Sequence, residues 1–502
     1  MSGNQTNILV MRPYLSKSRF QSGRQCHKRL WLEVHHRNLI ERNKNDQARF
    51  ADGNLFGELA RVLLGSGDLV MADHRDFEQA LAQTRDLLRQ PLDANHLIYE
   101  AAFEREGVRI RADAFLKRPL AWFSLIEVKS STEVKPEHLW DCAVQAWVAR
   151  GSGMEESLDE ITLAHVNDRF VYTREGDYEG LLQQANVTGD VVALEADVPG
   201  IVAELHDVMV GPQPQIATGV HCKKPYECPF LAHCRASEPQ PAEYPVELLP
   251  HAGKLTAQLA AEGFRDLREV PLDRLPTEKQ RRIAEATRSG SPYASPELAG
   301  KLDAIGWPRH YLDFETIAFV VPRWLGTRPW QQIPFQFSCH TEQSDDSIFH
   351  SHFLDLSGDS PMAGFVKTLR AAVGDSGPIL VWNQSFEAGR LHDMADLFPA
   401  QAGALRDIID RMIDLLPIFR EHYYHPAMRG SWSIKRVLPT IAPELDYRDL
   451  LIGNGGDAQQ GYLRAIAPDT PAAEKAKLRQ QLLDYCERDT EAMLRLARWR
   501  PG

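Results

Sequence analysis

Two groups of residues in the 502-residue chain have the types and spacing that metal-assisted hydrolysis uses. In the first, Asp113 falls in VRIRADAFLK, while Glu127 and Lys129 fall in AWFSLIEVKSS; both segments read as strands. Residues i and i+2 of a strand share a face, so Glu127 and Lys129 project together. Two carboxylates on adjacent strands offer Mg²⁺ the hard oxygen ligands it prefers. A lysine beside them orients or helps deprotonate an attacking water and offsets charge developing on a phosphate. An isolated E-x-K is common; this one gains weight from Asp113 on the preceding strand and from the following helix AVQAWVA, which carries Gln145.

The second group begins with HYLDFETI, where Asp313 and Glu315 again lie i, i+2 on a strand. ILVWNQSFEAGRLHDMA reads as strand, turn and helix, with Glu387 in the first helical turn. Tyr485 and Asp489 are i, i+4 neighbours on a C-terminal helix in which Leu478, Leu482 and Met493 keep the same period. Acids drawn from separate elements suit two divalent ions about 3.5–4 Å apart, one activating water and the other stabilising a leaving 3′ oxygen. Tyr485 is placed to orient that water. A lone YxxxD is usually accidental, whereas the ordered set is hard to explain that way. Asp414, in IIDRMIDLLPIF, reads as structural rather than as a ligand. Ser431, Ser433 and Lys435 read equally as phosphate contacts or as helix caps.

A third cluster is sulfur. HCKKPYECPFLAHC places Cys222, Cys228 and Cys234 at six-residue intervals, and Cys26 stands in the basic stretch RQCHKRLWLE. Four thiolates hold either zinc or an iron–sulfur cluster. The spacing is not the CxxC of zinc knuckles, which favours iron. Cys142, Cys339 and Cys486 stand alone in apolar contexts and read as core. Seven cysteines are too few for a disulfide scaffold.

The elements that must position these residues fall into three segments. Residues 1–237 carry the first acids and the cysteines; 238–305, after the Pro-rich SEPQPAEYPVELLP, read as short helices; 306–502 carry the second acids. Hydrophobic content of 43% and charged content of 25% exclude a disordered or collagen-like chain. No run of about 18 uncharged apolar residues is present, so no membrane partner is expected. Met1–Val10 lacks the basic-then-apolar pattern of a secretory leader, and a cytoplasmic location is expected. No Walker-type GxxxxGK[ST] is present, and the glycines of IGNGGDAQQG read as a loop. The aromatics of PRWLGTRPWQQIPFQF read mainly as core. Net charge is −12, yet residues 1–50 hold ten Lys/Arg against three acids, a local excess of the kind a polyanion groove uses.

The order SKSRFQSGRQCHKRLWL, GNLFGELA, IRADAF, IEVKS, Gln145 and the cysteine triplet resembles RecB-like PD-(D/E)xK nucleases with a four-cysteine iron–sulfur cluster, of the AddB and Cas type. The resemblance implies a restriction-endonuclease-like core with Asp113, Glu127 and Lys129 catalytic. It also implies Glu58 as a further metal ligand, Gln145 in support, and a [4Fe–4S] cluster on Cys26, Cys222, Cys228 and Cys234, with Zn²⁺ the alternative. Glu58 stands where these nucleases often have histidine, and the usual Gln-x-x-x-Tyr ends here in Ala149.

The segment 306–502 resembles DnaQ-like DEDDy 3′→5′ exonucleases of the RNase H-like fold. That likeness implies Asp313, Glu315, Glu387 and Asp489 as metal ligands and Tyr485 as the water-orienting group, with Glu387 in place of the usual aspartate. The whole resembles a bacterial family pairing two nuclease types, an α/β multidomain chain with a helical, helix-hairpin-helix-like module between them. The function implied is hydrolysis of DNA at single strands or ends with Mg²⁺ or Mn²⁺ at both sites, exonucleolytic with endonucleolytic cleavage also open. RNA is the alternative substrate, and a helicase in trans is compatible with the missing Walker motif. A nucleic-acid-binding assembly factor with one or both sites inactive is the reading from another class.

Overall fold

Alternating burial builds the first sheet. In the computed structural model, which describes residues 13–41, 44–73, 76–90, 94–119, 122–154, 157–445 and 447–500, Ile110, Ala112 and Ala114 are buried while Arg111 and Asp113 between them are half-buried. Asp113 therefore lies on the face opposite Ala112 and Ala114. Met1–Val10, Arg12 and Arg42 lie outside the described residues. The chain is a mixed α/β multidomain protein of two units, Met1–Pro239 with Phe319–Trp330, and Gln240–Ala318 with Gln331–Gly502.

Unit 1 opens with β1 (Leu15–Ser16), α1 (Lys17–Gln25), α2 (His27–His35) and α3 (Lys44–Leu64). Then come β2 (Gly67–Leu69), α4 (Phe77–Arg89), β3 (His96–Arg105), β4 (Val108–Arg118) and β5 (Trp122–Lys129). Helix α5 (Pro136–Ala149) crosses to β6 (Leu158–Val166), followed by β7 (Leu182–Asn186), α6 (Thr188–Glu195), α7 (Val198–Val210) and α8 (Leu231–Ala236). The strand order is β2-β3-β4-β5-β6-β7, with β1 pairing β4. β3, β4 and β5 are antiparallel neighbours, and β5 runs parallel to β6 because α5 returns the chain across the sheet. Pro136 starts α5, where a missing N–H costs nothing, and every residue from Asp141 to Ala149 is buried.

Unit 2 begins with α9 (Gly253–Ala261), α10 (Glu278–Ser289), β8 (Tyr293–Ala294) and α11 (Glu297–Asp303). Thr277 and Gln280 form a capping box at the start of α10, and Gly290 ends it at φ +70°. The sheet follows as β9 (Arg309–Ile317), β10 (Ile333–Glu342), β11 (Ile348–Leu354), α12 (Met362–Val373) and β12 (Ile379–Val381). After α13 (Gln384–Leu397) and α14 (Ala402–Asp410) comes β13 (Met412–Asp414), then α15 (Leu415–His422) and β14 (Tyr423–Tyr424). The short α16 (Ile434–Val437), α17 (Gly455–Ile466) and the long α18 (Ala472–Arg498) close the unit. The order is β11-β10-β9-β12-β13, antiparallel on one side of β9 and parallel on the other. β9 is buried at every position but Asp313, as expected of a central strand covered on both faces.

Three features add to the sequence reading. Residues 240–305 group with unit 2. Phe319–Trp330 belongs to unit 1, where Tyr172 N donates to Thr327 O, Gly326 N to Tyr172 O, and the Trp330 indole to Ser130 O just beyond β5. The glycines of IGNGGDAQQG are mostly helical: Asn454 accepts from Asp457 N at 3.0 Å and caps α17, so a strong N-cap overrides two glycines. Among the described residues no helix is long and apolar enough to cross a membrane.

Candidate functional site

In unit 1 the β4–β5 register sets Ala114 opposite Ile126, which brings Asp113 opposite Glu127. Asp113 Oδ2 accepts from Val128 N at 2.7 Å. Glu127 is fully buried, and its Oε1 takes Lys17 Nζ and Lys129 Nζ, each at 2.7 Å. Its Oε2 takes Gln145 Nε2 at 2.7 Å. Lys129 also reaches Asp141 Oδ2 at 2.5 Å, and Gln21 Nε2 donates to Asp141 Oδ1 at 2.8 Å. Burial opposes ionisation of Glu127, but the facing Lys129 and Lys17 ammoniums prevail and hold it below the ordinary carboxylate range. Asp113 goes the other way, to about 7, pushed by burial and then by the Glu127 charge. One acid is thus held charged while its neighbour holds a proton near neutrality.

Asp113, Glu127, Lys129 and Gln145 meet as the spacing predicts. Glu58 lies on α3 and is exposed. Lys17, Gln21 and Asp141 are the residues the sequence reading missed. Lys17 sat unnoticed among basic neighbours, and the signal for Asp141 was its i, i+4 offset from Gln145, which turns both toward Glu127 on one face of α5.

Cys26 caps α2, Cys222 ends a 3₁₀ turn, Cys228 precedes α8 and Cys234 lies within it. All four line one cavity with Leu32 and Phe230. All seven cysteines are free. Burial raises the Cys228 and Cys234 thiols, while Arg29 beside the first and Lys28 beside the second oppose it. Among the described residues these sulfurs form no group within 4.8 Å of one another. A tetrahedral zinc, with Zn–S of about 2.3 Å, needs sulfurs within roughly 4 Å, whereas a cubane spreads them wider.

In unit 2, Asp313, Glu315 and Asp489 bring carboxylate oxygens within 4.8 Å of one another. Asp489 is delivered by the buried face of α18. Tyr447 donates to Asp489 Oδ1 at 2.5 Å, a contact with no local sequence signal. Lys435 Nζ donates to the Tyr485 phenol oxygen at 2.7 Å and to Gly453 O at 2.9 Å. Glu387 is 2% exposed and its Oε2 is buried with no hydrogen-bond partner. Asp414 is structural: it accepts from Asn383 N and Gln384 N at the start of α13 and from Leu416 N at the start of α15. A groove of about 600 Å³ is lined by Lys279, Trp382, Asn383, Arg420, Trp432 and Lys435, and it meets the acids through Lys435, whose charge acts on Asp313, Glu315 and Asp489.

Burial raises every acid of this cluster, and neighbouring carboxylates add to it at Asp313, Glu315 and Glu387. Asp313 stands well above its ordinary value through burial, then Asp489, Glu315 and Glu387; Glu315 rises to about 8 and Asp489 to about 6, burial leading in both. Glu387 rises to about 8 through burial and the Asp414 charge. A carboxyl raised in the folded state keeps a proton that the unfolded chain has released, so stability falls as pH climbs between ~4 and about 8. The metal-free protein is expected to lose melting temperature from about pH 5 to about pH 8, and Mg²⁺ to restore most of it. A metal-free melting temperature that is level or rising over this range would contradict the acid cluster.

One comparison falls largely within unit 2. A family model described as "Domain of unknown function (DUF2779)" matches residues 310–433, a stretch holding Asp313, Glu315, Glu387 and Asp414. The chain is similar to "Uncharacterized protein UU173" of Ureaplasma parvum, 31% identical over 132 residues, 23% of this chain and 19% of that protein. It is also similar to "Uncharacterized protein MG366 homolog" of Mycoplasma pneumoniae, 28% identical over 204 residues, 37% of this chain and 31% of the other. The matches thus span less than a third of either relative's length. The solved structure titled "Crystal structure of SSO0001" aligns with 48% of this chain and 90% of its own at 15% identity and a TM-score of 0.24, too low to relate the folds.

Proposed function

We propose that the chain is a two-site, Mg²⁺- or Mn²⁺-dependent nuclease that hydrolyses DNA at single strands or ends. Unit 1 is the PD-(D/E)xK, restriction-endonuclease-like nuclease with a [4Fe–4S] cluster, and unit 2 the RNase H-like DEDDy 3′→5′ exonuclease. The observation that carries this reading is the convergence of Asp313, Glu315 and Asp489 from β9 and α18, with ligand oxygens within 4.8 Å. The sheet order β11-β10-β9-β12-β13 supports it. So does the orphaned Glu387 Oε2, since a buried acceptor without a donor is a place for a cation.

Asp313, Glu315, Glu387 and Asp489 would hold the ions of unit 2, and Asp113 and Glu127 that of unit 1. Bound there, divalent ions supply an activated water and charge stabilisation at the leaving oxygen. The chain's own groups do the rest. Tyr447 fixes the orientation of Asp489, and Lys435, by donating to the Tyr485 oxygen, leaves the phenolic proton free to orient a water. In unit 1, Lys129 is anchored by Glu127 and Asp141, its ammonium aimed at the acids where phosphate charge would develop. The groove that meets unit 2's acids through Lys435 offers two indoles and three cations, the means by which unpaired nucleotides are held without base readout.

The test is an assay with Mg²⁺ or Mn²⁺ on end-labelled single- and double-stranded DNA and RNA, comparing wild type with Lys129→Ala and Asp313→Ala. Cleavage of DNA lost stepwise in the two variants is expected. Cleavage of RNA alone would move the assignment to RNA processing, and no cleavage of any substrate would favour a cytoplasmic assembly factor. The cysteine reading has its own outcome. Anaerobically purified protein should be brown with absorption near about 400 nm, and Cys228→Ser should bleach it. A colourless wild type containing one zinc would replace iron with zinc.

A further inference from the structure

We infer that unit 2 carries a second, chemically distinct metal site, for a borderline divalent ion such as Zn²⁺, formed by His340, His350 and Glu487. It goes beyond the nuclease reading and uses none of the acids assigned to it. The β10–β11 register sets His340 directly opposite His350, and α18 lays Glu487 beside them, with one ligand atom from each residue within 4.8 Å of the others. His350 Nδ1 lies 3.6 Å from Glu487 Oε1, close to the roughly 3.4 Å between two ligands of a tetrahedral ion at about 2.1 Å.

The hydrogen bonds around the pair decide which nitrogens are free. Thr490 Oγ1 donates its one proton to Glu487 O at 3.0 Å, because a carbonyl can only accept. The 2.9 Å contact with His340 Nδ1 must then run from the ring N–H to Thr490. Ser338 Oγ, 2.7 Å from Thr490, must also donate to it, so the 2.9 Å contact with His350 Nε2 runs from that ring to Ser338. The proton chain puts one proton on His340 Nδ1 and one on His350 Nε2, so the neutral rings carry their lone pairs on His340 Nε2 and His350 Nδ1. Ligating histidines are oriented in this way, each giving its far N–H to a fixed acceptor.

Two imidazoles and a carboxylate form the donor set of an open zinc site, and nitrogen ligands disfavour the Mg²⁺ that suits the all-carboxylate cluster. His340 is buried while His350 and Glu487 reach solvent, which gives an ion its entry path and leaves positions for water. An ion here ties β10 and β11 to α18, the helix that carries Tyr485 and Asp489.

The experiment titrates the full chain with Zn²⁺ against a chromophoric chelator in excess Mg²⁺, which occupies the carboxylate cluster. Wild type is expected to bind one more zinc per chain than His350→Ala or the near-isosteric Glu487→Gln. The cysteines are intact in all three, so any zinc they take cancels. Ser338→Ala is expected to keep the stoichiometry and weaken that zinc about 10- to 100-fold. Added Zn²⁺ should raise the melting temperature of wild type but not of folded His350→Ala. Equal zinc stoichiometry in wild type and both folded ligand variants would overturn the site and leave an ordinary His350–Glu487 pair.

Discussion

Asp313→Asn is expected to lower hydrolysis from 3′ ends at least about a thousandfold while raising the melting temperature of the metal-free protein at pH 8. Both effects have one origin. Asp313 lies among Asp489, Glu315 and Glu387, and its carboxyl is driven well above its ordinary range by burial and by those three charges. Replacing it with the isosteric amide removes a buried ionisable carboxyl that Lys435 offsets only in part. The relief is on the order of 1–3 kcal/mol in the metal-free state. The same change removes a ligand oxygen where charge must be neutralised during hydrolysis, and a loss of ~4 kcal/mol there is a thousandfold in rate. A residue that merely supported the fold would lose activity and stability together. The proposal for unit 2 fails if Asp313→Asn melts lower than wild type without metal, or if it retains its activity on end-labelled single-stranded DNA.

Lys129→Ala is expected to lower cleavage by unit 1 by about 10²–10⁴-fold and stability by about 1–3 kcal/mol. Glu127 is fully buried and stays charged because two ammoniums share its Oε1, one from its own strand and one from α1. Removing Lys129 leaves Glu127 with Lys17 and deprives Asp141 of its 2.5 Å partner. Lys17→Ala should cost comparable stability, since it too half-strips the same carboxylate. The double variant should lose more than the two singles combined, because the buried charge is then without an ammonium. Lys17 bonds Glu127 but not Asp141, although Asp113 and Asp141 both act on its charge, and Lys129→Ala is expected to cost more activity than Lys17→Ala. The comparison is best read on an Asp313→Asn background, where unit 2 is silent. Full cleavage by Lys129→Ala would remove Lys129 from the chemistry.

What was legible beforehand followed the reach of local periodicity. Strand alternation put Asp313 beside Glu315 and Glu127 beside Lys129, and the helical period put Tyr485 and Asp489 on the buried face of α18. The carboxylate of Asp414 caps two helices. The glycines at the start of α17 misled because composition was weighed above the Asn454 cap.

The sequence by itself determined which side chains share a face, because pleat and helix repeat act over two to four residues. It also showed that the chain mixes strands and helices around two sets of acids. Only the tertiary structure decided which faces meet. Lys17 reaches Glu127 across 110 positions, Tyr447 reaches Asp489 across 42, and Phe319–Trp330 joins unit 1 far from it in sequence. His340 meets Glu487 only because β10, β11 and α18 are packed together. Such contacts depend on core packing between distant segments, which no local pattern records, and they set which acids are charged and which lone pairs are free.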